Sequence, residues 1–378
     1  MCLCKEGLVA LKPTSIPADE LLRSVEGLPL TLTAAKPADV PALLEDVAAQ
    51  RSTLRQALAA HGALLFRGCG ITDVAHFEGL MAALGIPSTN PQHYFGEVVR
   101  AGTGPSTLEP TQMPADTVIA PHNEYAFWYE QPLFLSFFCE DTAASFGQTP
   151  LIDCAAVAAA LSPTIRKKLI ETTVINEYVF DSLASNAELV RGQKRNSWQR
   201  AFGVSSVEEV EACLQHRADV TLRWRKRDRL HIQVRSGTFA RHPLSDALCL
   251  RALRAFDFPN ARYMLRELAK DQLPYAKGLA SQGMAGLGEW LVSRGWVEHQ
   301  RYAWKSSLHG PKLTKAEVTE ITETLFQHAT IFRWHPGDVL IIDNIKTAHG
   351  RLNVDGRRIL HVYMSENVDK NSFMIPSP

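Results

Sequence analysis

The amino-acid sequence predicts a mainly β fold, a β-sandwich or jelly roll with helical additions. Two observations predict it. Apolar segments with strand character fall in two groups, at about 60–180 and 331–365. Segments of helical periodicity accompany both groups and recur in the stretch between them. We therefore expect a single domain over residues 1–378, in which residues 183–330 form a mixed, largely helical insertion.

The first group of strands alternates with helices. Apolar residues recur at helical spacing over residues 38–61, where Asp39 can cap the start and Gly62 follows the end. Asp153 can cap a later helix in the same way. After the first helix we predict, in order, a strand at 63–66, a helix at 73–84, a loop at 87–120, strands at 133–139 and 149–153, helices at 154–161 and 163–171, and a strand at 172–180.

The chain changes character at about residue 183 and returns to strands near residue 331. Between these points we predict helices at 207–215, 246–255, 258–270 and 315–329, with short strands at 219–224 and 230–235. The second group of strands then comprises 337–344 and 357–364.

Composition excludes several classes of protein. Lys+Arg and Asp+Glu number 40 each, so the chain has no excess charge with which to bind nucleic acid or an anionic membrane. No apolar run approaches the ~18–20 residues that a spanning helix needs, and no secretory signal is evident. The seven cysteines include no Cys-x-x-Cys pair, and reduced thiols are typical of a cytoplasmic protein. These features favour a small-molecule or protein partner.

The segment His122-Asn123-Glu124 is the first candidate for chemistry. In an extended backbone His122 and Glu124 would share one face and Asn123 would point away. The same letters occur at His76-Phe77-Glu78, inside the helix predicted at 73–84, where positions i and i+2 do not face each other. The extended setting therefore distinguishes a candidate chelating pair from a chance repeat. The alternative for His122 is a hydrogen-bonded loop histidine.

The second group of strands supplies further candidates. His349 follows a buried strand and precedes Gly350, which places it at the mouth of that strand. Arg358 opens the next apolar strand nine residues later. A buried arginine needs an anion, and its planar fork suits a carboxylate, although a salt bridge to Asp or Glu is the alternative.

Together these residues resemble the taurine/2,4-dichlorophenoxyacetate dioxygenase family of Fe(II)- and 2-oxoglutarate-dependent oxygenases. The family pattern is His-x-Asp/Glu, a Thr in Gly-x-Thr about 27 residues later, and then Asp-Asn, His-Gly-Arg and a final Arg. The resemblance covers about residues 40–85, 115–180 and 315–365. The matching residues here are His122, Glu124, Thr149 in Gly147-Gln148-Thr149, Asp343-Asn344, His349-Gly350-Arg351 and Arg358.

The resemblance implies a double-stranded β-helix and a role for each matched residue. His122, Glu124 and His349 would bind Fe(II), and Thr149 with Arg358 would hold the distal carboxylate of 2-oxoglutarate, with O₂ as the second co-substrate. The first ligand pair and His349 would lie on neighbouring strands. Arg351 would orient the co-substrate or a substrate carboxylate, or would pair with Asp343 or Asp355. Asn123 would orient substrate or co-substrate. Tyr125 and Trp128 would line the substrate pocket or pack in the core.

The resemblance also implies a reaction, hydroxylation of an aliphatic C–H bond with release of succinate and CO₂. Glu124 fills the position that a halide would need in related halogenases, which argues against halogenation. Desaturation and epoxidation remain alternatives within this chemistry. A zinc hydrolase or a non-catalytic cupin-like protein would leave Thr149 and Arg358 without a purpose, and His-Glu-x-x-His is absent from the sequence.

The finer likeness is to aspartyl β-hydroxylase-like enzymes of natural-product pathways. It predicts an amino-acid-like substrate, either free or attached to a carrier protein. The segments that carry it are 119–124, 196–199 and 337–340.

Overall fold

The computed structural model describes residues 11–34, 39–88, 102–110, 118–126, 128–142, 146–183, 197–225, 228–270 and 304–376. The strands in these ranges are β1 (Leu11–Thr14), β2 (Leu21–Arg23), β3 (Leu30–Ala34), β4 (Ala63–Phe66), β5 (Thr107–Leu108), β6 (Ile119–His122), β7 (Glu130–Thr142), β8 (Thr149–Asp153), β9 (Thr173–Phe180), β10 (Val220–Arg225), β11 (Arg229–Ser236), β12 (Phe239–Arg241), β13 (Leu248–Leu250), β14 (Trp304–His309), β15 (Ala329–Phe332), β16 (Val339–Asp343), β17 (Thr347–Arg351) and β18 (Arg358–Asp369). The helices are α1 (Val40–Ala49), α2 (Arg51–His61), α3 (Val74–Ala83), α4 (Cys154–Ala160), α5 (Pro163–Ile170), α6 (Trp198–Phe202), α7 (Val207–Leu214), α8 (Asp257–Ala269) and α9 (Lys315–Gln327).

Two sheets form the centre of the fold, and strands from both ends of the chain interleave in them. The larger sheet has the order β1-β3-β4-β16-β7-β18-β5, and the smaller has the order β2-β15-β8-β17-β6. Thus β16 lies between β4 and β7, and β17 lies between β8 and β6, each in antiparallel pairing. The predicted mainly β jelly roll with helical additions is confirmed.

The central strand β16 is buried on both faces. Leu340 and Ile342 pack in the apolar cluster that fills the space between the two sheets. Val339 and Ile341 belong to a second cluster, which includes residues of α1, α2 and α3. A strand enclosed on both sides has no polar face, which explains the uninterrupted apolar run at this position in the sequence.

The N-terminal helical segment differs from its prediction in one respect. The caps are as expected, because Asp39 accepts a hydrogen bond from the Ala42 N–H at 3.2 Å and Gly62 ends α2 at φ 78°. The single helix predicted at 38–61 is instead two helices, α1 and α2. They separate at Gln50, whose φ of −105° and ψ of 13° leave helical geometry.

The insertion contributes its own antiparallel sheet, of order β10-β11-β9-β14. Strand β9, predicted to complete the first group, therefore pairs with the insertion rather than with the central sheets. The helix predicted at 246–255 is wrong. This stretch forms β13, which pairs with β12, followed by a short 3-10 turn at Ala252–Phe256. The local apolar pattern here is compatible with either a helix or a strand. Cys249 and Leu250 are buried in a cluster with residues of α4, and this packing favours the strand.

Part of the predicted insertion, residues 271–303, lies outside the described ranges, as does Asn196. Among the helices that the structure describes, none has the length and apolar character needed to cross a bilayer.

A buried ion pair joins β4 to the start of β16. Arg67 donates from Nε and Nη2 to the two carboxylate oxygens of Asp338, at 3.0 and 2.7 Å. The same guanidinium donates to Glu20 Oε2 at 2.6 Å and to the Arg333 carbonyl at 2.7 Å. The Asp338 side chain is fully buried. Bidentate geometry and additional acceptors satisfy both charges away from water.

We expect Asp338→Ala to lower the free energy of unfolding by about 3–5 kcal/mol, because the Arg67 guanidinium loses its buried bidentate carboxylate and is left with Glu20 and the Arg333 carbonyl. Urea denaturation measures this difference. Lys270→Ala removes an exposed partner of Glu267 and should lower the same free energy by less than about 1 kcal/mol. Equal losses in the two variants would contradict a special role for the buried pair.

Candidate active site

His122 and His349 face each other across two paired strands. In the antiparallel register of β6 and β17 the two residues are direct partners, and their ring centroids lie 4.7 Å apart. Gly350 permits this approach, because a Cβ at that position would lie 2.6 Å from the Ile119 carbonyl oxygen and 3.0 Å from the Pro121 nitrogen. The prediction that the first ligand pair and His349 lie on neighbouring strands is confirmed for His122, whereas Glu124 follows the end of β6.

Glu124 completes a group of three potential metal ligands. Its Oε2 atom lies 3.6 Å from Nε2 of His122 and 3.7 Å from Nε2 of His349. All three side chains are buried, and one potential ligand atom from each lies within 4.8 Å of the others. The predicted extended backbone through Glu124 is wrong, since β6 ends at His122 and a turn follows, in which Tyr125 has a φ of 53°. The two side chains nevertheless converge.

The hydrogen bond of His122 determines which ring nitrogen faces this group. Nδ1 lies 2.9 Å from the Ala120 carbonyl oxygen, which can only accept, so Nδ1 carries the proton. The lone pair of Nε2 is then directed towards Glu124. Two imidazoles and one carboxylate are the donor set that suits Fe(II) with open coordination positions, so these residues fit that ion.

His76 and Glu78 have no such arrangement. They lie on helix α3, as predicted, where His76 Nδ1 contacts Thr72 Oγ1 at 3.1 Å and Asp73 Oδ2 at 3.4 Å. Glu78 instead accepts a hydrogen bond from the Ser106 N–H at 2.8 Å. Of the two His-x-Glu segments, the one at His122 therefore brings its two side chains together, and the one at His76 does not, as predicted.

Thr149 and Arg358 also meet between the sheets, from β8 and β18. Arg358 Nη2 donates to Thr149 Oγ1 at 3.2 Å, and Trp334 Nε1 donates to the same oxygen at 3.0 Å. Burial of the guanidinium, together with the neighbouring Arg351 cation, lowers the pKa of Arg358 to about 9. An anion bound here would relieve both effects, which makes this pair a candidate carboxylate site.

Gly147 leaves space for Arg358. Its φ is 94°, and a Cβ at this position would lie 3.1 Å from Arg358 Cδ and 3.2 Å from Val354 Cγ2. The glycine of the Gly-x-Thr motif thus has a steric reason as well as a conformational one.

An aromatic wall joins the histidines to the Thr149–Arg358 pair. The Phe137 ring on β7 lies 5.4 Å from the His349 ring and 6.5 Å from the Trp334 ring, centroid to centroid. Trp334 in turn contacts Thr149 and lies 6.0 Å from the Arg358 guanidinium carbon. The two candidate binding groups therefore belong to one apolar-walled region between the sheets.

The remaining predicted residues have different surroundings. The Asn123 side chain is directed into the core, where it donates to the carbonyls of Asn344 and Thr347, and these contacts give its predicted role in orienting substrate no support. Trp128 is 1% exposed and packs with other aromatic side chains, as expected of a core residue. Those neighbours are Tyr129, Tyr178, Phe180 and Phe202.

Tyr125 is buried beside Glu124, and Arg351 is partly buried at the end of β17. The alternative pairing of Arg351 with Asp343 finds no support, because Asp343 Oδ2 contacts His242 and Oδ1 accepts from the N–H groups of Ile345 and Lys346.

Sequence reasoning missed several residues around the site. Phe137 and Trp334 looked like ordinary apolar residues, and His242 and Arg251 lie in the insertion, far along the chain. Asn344 was recognised as part of a motif but had no predicted contact. In the structure it hydrogen-bonds to both the N–H and the carbonyl of Glu124.

Comparisons with known proteins give concordant results. Residues 24–364 match the family model described as "Taurine catabolism dioxygenase TauD, TfdA family". The dapdiamide synthesis protein DdaC of Enterobacter agglomerans is 29% identical over 314 residues, which cover 82% of this chain and 84% of that protein.

Two solved structures of PvcB share the fold. The structure from Pseudomonas aeruginosa has a TM-score of 0.52 at 14% identity, and covers 98% of this chain and 97% of its own. The second, described as an Fe, alpha-ketoglutarate dependent oxygenase from an isonitrile synthetic pathway, has a TM-score of 0.52 at 13% identity with the same coverage.

We expect Thr149→Val to lower the free energy of unfolding by about 1–3 kcal/mol, because it leaves the buried Trp334 N–H without its acceptor. In a Trp334→Phe background the same change should be less damaging, since that donor is already absent. Denaturant unfolding of the four proteins of this double-mutant cycle measures the coupling. An identical loss in both backgrounds would show that the Trp334–Thr149 hydrogen bond adds no stability.

Proposed function

The chain belongs to the taurine catabolism dioxygenase TauD, TfdA family, and we propose that it hydroxylates an aliphatic C–H bond of an amino acid or amino-acid-derived substrate in a biosynthetic pathway. It is an Fe(II)- and 2-oxoglutarate-dependent dioxygenase that uses O₂. The observation that carries the proposal is the convergence of His122, Glu124 and His349 beside the Thr149–Arg358 pair.

In this proposal His122, Glu124 and His349 bind the iron. Their buried positions exclude bulk water, and the Ala120 carbonyl holds His122 in the tautomer that presents Nε2. A carboxylate in this group occupies the position that a halide would need in a related halogenase. The presence of Glu124 therefore supports oxygen insertion rather than halogenation.

Arg358 and Thr149 hold the distal carboxylate of 2-oxoglutarate. Arg358 offers a planar pair of N–H donors, and Thr149 adds a hydroxyl that Trp334 keeps oriented from the other side. Once bound, iron with 2-oxoglutarate and O₂ supplies the oxidising chemistry, in which the oxo acid becomes succinate and CO₂. The protein's part is to orient the co-substrate and to keep the region between the sheets apolar.

The similarity to a dapdiamide synthesis protein supports a substrate from the synthesis of a small natural product. The substrate is either free or attached to a carrier protein. Desaturation and epoxidation are the other outcomes that the same chemistry permits. Membership of a dioxygenase family removes the zinc hydrolase and the non-catalytic binding protein as alternatives.

We expect His122→Ala to abolish tight binding of Mn(II), used as a redox-stable substitute for Fe(II), whereas His76→Ala should bind it as the unaltered protein does. The reason is that only His122 points into the three-residue group. Titration followed by electron paramagnetic resonance of free Mn(II) measures both affinities. With Fe(II) and 2-oxoglutarate under anaerobic conditions, His76→Ala should still show the visible absorption band of the chelate. Metal binding that depends on His76 and not on His122 would refute the ligand assignment.

We expect succinate formation to rise when the true substrate is supplied, since uncoupled turnover of 2-oxoglutarate is slow without it. A panel of free amino acids and of the same residues attached to carrier proteins tests the substrate class. Mass spectrometry of the product distinguishes hydroxylation, a gain of one oxygen atom, from desaturation, a loss of two hydrogen atoms. Stimulation only by substrates unrelated to amino acids would contradict the proposed class.

A further inference from the structure

Asn344 holds the main chain of Glu124 with both ends of its side-chain amide. Its Oδ1 accepts from the Glu124 N–H at 2.7 Å, and its Nδ2 donates to the Glu124 carbonyl at 2.9 Å. Nδ2 also donates to the Pro132 carbonyl at 2.8 Å, and the residue is fully buried. Glu124 lies in a turn beyond the end of β6, so these bonds from Asn344 hold its main chain outside the strand pairing.

Asn123 makes a second connection between the same two segments of the chain. Its Nδ2 donates to the Asn344 carbonyl at 2.9 Å and to the Thr347 carbonyl at 3.1 Å. Thr347 begins β17, two residues before His349. The two asparagines thus join the segment that carries Glu124 to the segment that leads to His349. The Asn344 side chain bonds to the main chain of Glu124, and the Asn123 side chain bonds to the main chain of Asn344 and Thr347. We call this pair the asparagine latch.

Two side chains of the insertion hold the latch from outside. Arg251 is buried and donates from Nη1 to the carbonyls of Asn344 and Ile345, at 2.7 and 3.1 Å. Its Nη2 donates to Gln131 Oε1 at 2.5 Å. His242 Nδ1 accepts hydrogen bonds from the N–H groups of Leu244 and Ser245. The proton of the ring is therefore on Nε2, which donates to Asp343 Oδ2 at 2.7 Å. Arg251 thus contacts the turn between β16 and β17, and His242 contacts Asp343, the last residue of β16.

We propose that Asn344 is a positioning residue for the metal centre, that the asparagine latch sets the position of Glu124 relative to His349, and that Arg251 of the insertion keeps it in place. The proposal rests on the proposed role of Glu124 and His349 as ligands. A turn has few internal hydrogen bonds, so its buried N–H and C=O groups need outside partners, and Asn344 supplies one of each kind. Loss of residues that orient ligands typically weakens metal binding by about 10–100-fold.

The decisive variant is Asn344→Asp, which has nearly the same shape. It keeps an acceptor for the Glu124 N–H but turns an oxygen towards the carbonyls of Glu124 and Pro132. We expect its dissociation constant for Mn(II) to rise by about 10–100-fold. The matched control is Asn176→Asp, which introduces the same change at a buried position in β9. It should lower the melting temperature while leaving Mn(II) affinity unchanged.

A second variant covers the case in which Asn344→Asp does not fold. Arg251→Lys keeps the charge but has a single donor group, which cannot reach both the Asn344 and Ile345 carbonyls and Gln131 at once. We expect its Mn(II) dissociation constant to rise by up to about 10-fold, in the lower part of the range for such residues. If every folded latch variant bound Mn(II) as the unaltered protein does, and differed only in melting temperature, the latch would be purely structural and the proposal wrong.

The two proposals fail in different ways. An unaltered protein that does not bind Mn(II), or one in which His122→Ala still binds it, would contradict the ligand assignment itself. Normal binding by the unaltered protein, lost in His122→Ala but retained in Asn344→Asp and Arg251→Lys, would contradict the latch alone.

Discussion

The pairing of β17 with both β6 and β8 is the constraint on which the site depends. It sets His349 opposite His122 on one side and opposite Leu151, two residues after Thr149, on the other. A shift of one residue would turn His349 towards the opposite face of the sheet. Gly350 allows the close approach of the strands, so the pairing of the strands also sets the distance between His122 and His349.

The insertion takes part in the organisation of the site. Its β12–β13 hairpin and the residue after it bring His242 and Arg251 against the turn that follows β16. Arg251 is a buried cation whose Nη1 and Nη2 groups donate to main-chain and amide oxygens, and burial lowers its pKa. Asn344 receives hydrogen bonds at its carbonyl from both Asn123 and Arg251, so the turn is held by the core and by the insertion at once.

Burial controls the charge and the nucleophilicity of the side chains around the candidate active site. Burial raises the pKa of the Cys139 and Cys154 thiols to about 12, although each lies near an arginine that opposes the shift. Both cysteines therefore remain neutral thiols, which are weak nucleophiles and poor metal ligands. Arg358, in contrast, is a cation that burial has made less stable, so binding a carboxylate would stabilise its charge.

The sequence by itself determined the fold class, most of the elements and the residues of the candidate site. Strand and helix periodicity are local signals, and the spacing of His122, Thr149, His349 and Arg358 is visible without coordinates. Where the local signal was ambiguous, only the tertiary structure decided between helix and strand. At Leu248–Leu250, for example, packing against α4 favours a strand where the sequence predicts a helix. The tertiary structure also decided the contacts of Asn344, whose partner Glu124 is 220 residues away, because a hydrogen bond between distant segments leaves no periodic trace in the sequence.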